Sequence, residues 1–210
     1  MDVIESHVCV DIETLGNHPE RGVMLSIGAV AFTMDMPLEP LDLSEYVSLP
    51  TQYYSIIALK EQVEKYKWEI EPETLSWWLH EPKRAKLLCG QLSSSTAESI
   101  GVVLTEFKEW IKKIHESYES QHVFLWSHGA TFDCMHLSQK WPQILHESFS
   151  NVYPFRNMRD TRTLFALYNA KVGSDVPKVE GMMSHHALAD AWRTATQIQT
   201  AWNALKGQPL

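Results

Sequence analysis

The sequence has few cysteines, no long apolar run and no excess of basic charge, and each absence excludes a class of protein. The three cysteines are widely spaced and form no C-x-x-C pair, so neither a disulfide framework nor a zinc knuckle is indicated. No apolar run approaches the roughly 20 residues that a membrane span needs, and the first residues lack the features of a signal peptide. We therefore expect a cytoplasmic protein without a membrane segment.

The formal net charge of −8 argues against a protein that coats nucleic acid, because binding through counterion release needs a basic surface. A narrow site bridged by metal ions remains compatible with this charge. Basic residues nevertheless form two local groups: Lys83, Arg84 and Lys86, and Arg156, Arg159 and Arg162. Either group could meet a phosphate, although a solvated face is the simpler interpretation.

The length and apolar content indicate one globular domain over residues 1–210. A chain of 210 residues with 44% apolar content and eight tryptophans is long enough to bury a sizeable core. No linker, internal repeat or low-complexity stretch divides it.

The hydrophobic pattern predicts strands and helices in an order typical of a mixed α/β fold. Strands are predicted at 7–13 and 23–32, paired antiparallel through a turn, and at 122–129, while residues 45–50 could form another short one. Four helical segments follow from the spacing of apolar residues and from capping signals: 72–88 with a break at Pro82, 95–118 with Ser95 as N-cap, 130–141 opened by Thr131, and 160–170. A last helix is predicted over 185–205. This order implies helices layered on a sheet.

The first strand, in the stretch VCVDIETLG, carries two carboxylates where a buried strand would normally have none. Since strand side chains alternate, Asp11 and Glu13 project from the same face, about 6 to 7 Å apart along the strand. Either residue taken singly is consistent with an exposed strand face. As a pair among apolar neighbours they would repel each other, whereas a divalent cation would stabilise both. Oxygen ligands favour a hard metal such as Mg²⁺ or Mn²⁺.

Two further aspartates stand at the starts of predicted helices and could complete such a site. Asp133 follows a buried strand, where it could instead stabilise the helix dipole. Asp190 lies between two alanines, where aspartate has poor helix propensity but close packing is possible. His185 does not share the helix face of Asp190, so it could extend from the helix entrance as a general base. A satisfied core or surface histidine is the alternative, and it applies more strongly to His186.

The three motifs VDIETLG, SHGATFD and HHALADA, in this order, resemble those of the DEDDh 3′-to-5′ exonucleases, which have a ribonuclease-H-like fold. The resemblance extends from Val10 to Ala191, and the stretch TLSWWLHEPKRA is similar to a small phage and bacterial branch labelled exoribonuclease or exonuclease-VIII-like. One departure is Gly129, where proofreading members commonly carry asparagine. The resemblance implies an α/β fold with a ribonuclease-H-like mixed β-sheet flanked by helices.

The resemblance also implies roles for individual residues. Four acids match the carboxylates that hold two divalent metal ions, Mg²⁺ or Mn²⁺: Asp11, Glu13, Asp133 and Asp190. His185 matches the general base that takes a proton from the attacking water. Three residues are implied to line the 3′-terminal nucleotide: Thr14, Leu15 and Phe132. For Leu15 and Phe132, simple core packing is the alternative.

The expected function is metal-dependent hydrolysis of phosphodiester bonds from the 3′ end of single-stranded or 3′-overhang nucleic acid, RNA or DNA, releasing nucleoside 5′-monophosphates. A phosphodiesterase of short oligonucleotides or dinucleotides, and a catalytically silent nucleic-acid-binding module, are the alternatives. The complete set of four acids and a histidine argues against silence. Asp160 could cap a helix or assist the site, and capping is favoured. Trp77 and Trp78 are adjacent, so one could pack in the core while the other stacks on a base. The sequence leaves RNA or DNA preference and oligomeric state open.

Overall fold

A single mixed sheet organises the protein, whose computed structural model describes residues 5–117 and 123–207. The sheet has six strands in the order β3-β4-β2-β1-β5-β6: β1 (Ser6–Thr14), β2 (Met24–Phe32), β3 (Val47–Ser48), β4 (Gln52–Ile56), β5 (Val123–Ser127) and β6 (Met158–Asp160). β1 pairs antiparallel with β2 and parallel with β5. The predicted mixed α/β sheet is therefore confirmed.

Within residues 5–117 and 123–207, seven α-helices are arranged around this sheet: α1 (Leu59–Glu64), α2 (Pro72–His80), α3 (Pro82–Leu92), α4 (Ile100–Ser117), α5 (Asp133–Leu145), α6 (Thr161–Val172) and α7 (Ala187–Lys206). Pro82 is the first residue of α3 and separates it from α2, as predicted, because proline is accepted in a first helical turn but not in a helix interior. No helix of the described residues combines the length and the apolar character that crossing a bilayer requires.

The alternation of side chains along β1 sends apolar residues into two different cores. Val8, Val10 and Ile12 belong to the larger core, which also contains residues of α4 and α5. Cys9 faces the other way, into a core with Leu164 of α6 and α7 residues such as Ile198. Helices therefore cover both faces of the central strands, and the acids of β1 project from the face that α7 covers.

Helix α7 packs unusually close to the sheet at Gly28. A Cβ atom at this position of β2 would overlap the backbone of Ala187 and Leu188. Gly28 is also the residue paired with Asp11 across the β1–β2 ladder. The absence of a side chain at Gly28 thus lets the first turn of α7 approach the acidic part of β1.

Several predicted boundaries were wrong, and three elements, β4, α1 and β6, were not predicted. Ser95 lies in a turn and does not cap α4, which begins at Ile100; instead the Ser99 hydroxyl accepts a hydrogen bond of 3.3 Å from the Val102 amide. Thr131 precedes α5 by two residues. The predicted strand at 45–50 is only two residues long, and β4 and α1 follow it where the sequence predicted no strand or helix. The ends of two predicted elements, at residues 118 and 122, lie outside the described residues.

Candidate active site

Strand β1 places Asp11 and Glu13 side by side beneath the start of α7. Glu13 is 8% exposed and Asp11 is half-buried. Among the described residues, no side chain or amide donates a hydrogen bond to either carboxylate, and none forms an ion pair with them. Two buried carboxylates without compensating donors are costly when ionised, unless a cation lies between them.

Asp133 joins this pair because it begins α5 just beyond the carboxyl end of β5. Since β5 runs parallel to β1, both strands deliver the residues that follow them to the same edge of the sheet. The Asp133 Oδ1 atom accepts a hydrogen bond of 3.1 Å from the Ile12 amide, so it is tied to the strand between Asp11 and Glu13. The carboxyl of Asp133 is 3% exposed.

Two residues at the start of α7 lie close to these acids: Asp190 in its first turn and His185 immediately before its N-cap. The His185 amide donates a hydrogen bond of 2.8 Å to Asp190 Oδ2, and His185 has a left-handed backbone with φ of 63°. Ligand atoms of Glu13, His185 and Asp190 lie within 4.8 Å of one another. His185 therefore faces the carboxylates, although it does not share the helical face of Asp190.

The acids shift one another's protonation as closely spaced carboxylates must. Burial raises the pKa of Asp11 well above its usual range, and the charges of Asp133, Glu13 and Asp190 raise it further. Burial and the charges of Asp190 and Asp133 do the same for the pKa of Glu13. Burial also raises the pKa of Asp133 to about 7 against the hydrogen bond from Ile12, and raises the pKa of Asp190 in spite of Arg193.

The composition of this cluster fits divalent cations with oxygen ligands. Within the described residues, the only cation in ion-pair contact with the four acids is Arg193, whose guanidinium lies 2.6 Å from Asp190 Oδ1. One guanidinium does not neutralise four carboxylates, and the remaining donors are hard oxygen atoms of the kind that Mg²⁺ and Mn²⁺ prefer. Arg193 was not predicted, because its position three residues after Asp190 is equally typical of an ordinary surface ion pair within a helix.

A cavity of about 430 Å³ adjoins the carboxylates and has a mixed polar and aromatic lining. Glu13, Thr14 and Phe132 line it, and so does Trp77. Leu15, by contrast, is 1% exposed and packs in the larger core. Its position agrees with the alternative that Leu15 is a core residue. Phe132 contacts the His136 ring at 4.5 Å between centroids and remains partly exposed.

The two adjacent tryptophans of α2 have different surroundings. Trp78 is fully buried, and its indole nitrogen donates a hydrogen bond of 2.9 Å to the Thr14 carbonyl. Trp77 is 43% exposed, and its ring lies edge-on to His185 at 4.8 Å. Trp77 is the tryptophan available at the site.

The residues around α6 explain one departure from the family pattern. Asp160 caps α6, as favoured from the sequence, by accepting from the Arg162 amide at 2.9 Å, and it also accepts from the Ala130 amide at 2.9 Å. Gly129 has φ of 107°, and a Cβ there would lie 3.1 Å from the Arg162 guanidinium. Asparagine at this position would meet both a strained backbone and this guanidinium.

Comparison with known families agrees with this geometry. A family model described as the 3′-5′ exoribonuclease Rv2179c-like domain matches residues 6–202. The chain belongs to this family. The expected membership among 3′-5′ exonucleases is thus confirmed, and the family implies dependence on divalent metal. No curated protein matches the chain.

Solved structures of exonuclease I share the fold of this Rv2179c-like domain. Exonuclease I from Methylocaldum szegediense superposes with a TM-score of 0.58 at 14% identity, over 96% of this chain and 43% of that one. The zinc-bound E. coli enzyme with single-stranded DNA gives 0.59 at 12% identity, over 97% and 42%, and the complex with a dA16 oligonucleotide gives 0.58 at 11%, over 96% and 42%. The chain spans less than half the length of these proteins. At such identities the likeness establishes the ribonuclease-H-like fold alone.

Proposed function

We propose that the protein is a metal-dependent 3′-to-5′ exonuclease, formed by one domain over residues 1–210, that releases nucleoside 5′-monophosphates from single-stranded or 3′-overhang nucleic acid. The observation that carries this proposal is the convergence of four carboxylates and His185 at one edge of the sheet. Membership in an exoribonuclease family makes RNA the first substrate to test.

The four carboxylates would hold two divalent ions, Mg²⁺ or Mn²⁺: Asp11, Glu13, Asp133 and Asp190. When bound, the ions would supply positive charge that binds the scissile phosphate and stabilises the charge that builds up on its oxygens. The rigid ladder of β1 and the hydrogen bond from Ile12 to Asp133 fix the spacing of these oxygens, as a site of this kind requires.

His185 would act as the general base. Burial lowers the pKa of its imidazole, with Asp190 acting in the opposite direction, so the ring is neutral at pH 7 and a ring nitrogen can take a proton. The attacking water would transfer this proton to His185 as its oxygen bonds to phosphorus. The bond from phosphorus to the 3′ oxygen of the preceding nucleotide would break, and solvent would protonate that oxygen.

The 3′-terminal nucleotide would occupy the cavity of about 430 Å³ beside Glu13. Thr14 and Phe132 line this cavity, with Phe132 available to pack on a base, while Leu15 would support the wall from the core. The volume is within the range of small-ligand sites. Trp77 provides a second aromatic surface there.

The experiment that tests this proposal follows the label through digestion. Single-stranded RNA and DNA labelled at the 3′ or the 5′ end are incubated with Mg²⁺, Mn²⁺ or EDTA. We expect immediate release of a labelled 5′-monophosphate from 3′-labelled strands, a ladder from 5′-labelled strands, and no reaction in EDTA. Cleavage of dinucleotides but not of longer strands would instead favour an oligonucleotide phosphodiesterase, and binding without cleavage under all metal conditions would favour a silent module.

A further inference from the structure

A second and larger cavity, of about 640 Å³, lies on the α3 side of His185. Its walls come from α3, from β4 and from the segment that precedes α7. They include three basic side chains, Lys83, Arg84 and Lys86, and an apolar surface that includes Tyr54, Ile56, Leu87, Met182 and Met183. We call this space the basic cavity.

Two of the three cations of the basic cavity, Lys83 and Lys86, are available, whereas Arg84 and the acids already have partners. Lys83 and Lys86 are exposed, and among the described residues neither forms an ion pair or hydrogen bond. Glu81 pairs with Arg84 at 3.5 Å, and Glu45 accepts a hydrogen bond of 3.1 Å from the Ser94 hydroxyl. In a protein with a net charge of −8, this is a local positive surface.

Trp77 connects the two cavities, because it lines the cavity beside Glu13 and contacts two residues that line the basic cavity, Arg84 and His185. The Arg84 guanidinium lies over the Trp77 ring, 4.0 Å from the centroid. His185, whose ring contacts the edge of Trp77, lines the basic cavity and belongs to the cluster with Glu13. A molecule that extends past His185 would thus reach from the cavity beside Glu13 into the basic cavity.

We infer that the basic cavity binds the part of a nucleic-acid strand on the 5′ side of the scissile phosphate, with Lys83 and Lys86 contacting its phosphates. This inference rests on the proposed function, which assigns the terminal nucleotide to the cavity beside Glu13. Ammonium groups bind phosphate as point charges, and the apolar wall suits sugars and bases. A nucleic-acid strand needs both positive charges for its phosphates and an apolar surface for its sugars and bases, whereas a free inorganic phosphate would need only the positive charges.

The test compares the double variant Lys83→Ala/Lys86→Ala with the wild-type protein in binding. Ca²⁺ replaces Mg²⁺, and the probes are a fluorescent single-stranded RNA of about seven nucleotides, followed by anisotropy, and a nucleoside 5′-monophosphate, followed by calorimetry. We expect the Kd for the RNA to rise by about 2- to 30-fold, the range for two exposed charge contacts. The slope of log Kd against log salt concentration should fall by about 1.4, because each of the two lost phosphate contacts contributes about 0.7.

The double variant Lys112→Ala/Lys113→Ala is the matched control, because it removes the same charge from exposed positions on α4. Its Kd for the RNA should stay within about twofold of wild type, because Lys112 and Lys113 line neither of the two cavities and salt screens charges that are not in contact with the strand. An equal weakening by both double variants, an unchanged salt slope, or an equal weakening of mononucleotide and RNA binding would overturn the inference. Binding of RNA that depends on Lys83 and Lys86 without any cleavage by wild-type protein would leave the cavity assigned and would refute only the exonuclease proposal.

Discussion

At the scale of single residues, the proposed binding of metal ions depends on the four carboxylates. Changing any one of Asp11, Glu13, Asp133 and Asp190 to its amide keeps the shape of the side chain but removes a proposed charged oxygen ligand. We expect each change to lower turnover by more than about 100-fold, since even changes outside the ligand shell cost 10- to 100-fold. Initial rates on 3′-labelled RNA with Mn²⁺ measure this. Glu64→Gln, at an exposed position, is the control, and normal turnover by any amide variant would remove that acid from the site.

The two adjacent histidines provide a second test at this scale. His185→Ala should reduce turnover by roughly 10²- to 10⁴-fold, the usual scale of general-base catalysis, with Mn²⁺ affinity near wild type. His186 caps α7 through a 3.5 Å contact from the Ala189 amide and is buried against Tyr54. His186→Ala should therefore lower the free energy of unfolding by about 1 kcal/mol and change the turnover rate little.

Rates and calorimetric Mn²⁺ titration of both variants decide between these roles. Because burial lowers the pKa of His185, the wild-type rate should rise with pH below about 6.5, the ordinary histidine value, and this limb should be absent in His185→Ala. Loss of Mn²⁺ binding in His185→Ala, or a larger rate loss in His186→Ala, would contradict the assignment.

We expect the two adjacent tryptophans to have different roles, Trp78 in stability and Trp77 in substrate binding. Trp78 is fully buried and bonded to the Thr14 carbonyl, so Trp78→Ala should destabilise the protein by about 3 to 5 kcal/mol. Trp77→Ala should leave the unfolding midpoint close to wild type and raise the KM for RNA, because base stacking contributes about 1 to 3 kcal/mol. Urea unfolding and steady-state kinetics distinguish the two, and identical effects of both changes would refute the division.

At the scale of elements, the close approach of α7 to β2 sets the geometry of the site. Gly28→Ala would force Ala187 and Leu188 away from the sheet, together with the Asp190 turn. We expect a loss of about 2 to 3 kcal/mol in stability, typical of overpacking, and a fall in kcat. Gly90→Ala is the counterpart: it lies in α3 with open space around its Cα, so it should raise stability by about 0.5 to 1 kcal/mol. Stabilisation by Gly28→Ala would show that α7 can shift without cost.

The elements that the sequence predicted are those with a strong local pattern. β1 alternates apolar and other side chains, and β2 is a nine-residue run of mostly apolar and small residues, while Pro82 marks a helix boundary by its own chemistry. β4 has only five residues and includes Gln52 and Ser55, which are buried nonetheless, so its sequence shows neither alternation nor an apolar run. β6 has three residues and depends on pairing with β5, a long-range contact that local reasoning does not supply.

The candidate site was predictable to a different extent, because its acids form motifs whereas its supporting residues do not. Asp11, Glu13, Asp133 and Asp190 were found from spacing and resemblance, and the structure brings them together. The contacts that Trp77, Arg84 and Arg193 make at the site depend on helix packing and on the turn before α7, which the sequence does not predict. Their residue types are equally common on ordinary surfaces.

At the scale of the whole molecule, the acidic cluster links folding to pH. An acid whose pKa is raised in the folded state makes a protein less stable as pH rises towards that pKa. With the pKa of Asp133 near 7, the metal-free protein should become less stable as the Asp133 carboxyl ionises, and this loss should be nearly complete at pH 8. Asp133→Asn should therefore unfold at a higher temperature than wild type in EDTA, with a difference that grows from pH 6 to pH 8.

Thermal unfolding of both proteins in EDTA and in Mn²⁺ measures this linkage. Comparing two proteins at each pH cancels the other titrations, including that of Lys140, whose pKa burial lowers to about 7. Mn²⁺ should raise the midpoint of the wild-type protein, since a ligand of the folded state stabilises it, and raise that of Asp133→Asn much less. A difference independent of pH would show that Asp133 does not titrate with folding.

The left-handed backbone of His185 has a consequence for how this fold can diversify. Residues with a Cβ atom have a cost of roughly 1 to 2 kcal/mol in this conformation, and asparagine, aspartate and histidine accept it most readily; His185 adopts it with φ of 63°. A substitution to glycine would remove that strain together with the proposed base, so loss of catalysis would bring a gain in stability. Descendants of such an exonuclease could thus become inert nucleic-acid binders in a single mutational step that selection for folding favours.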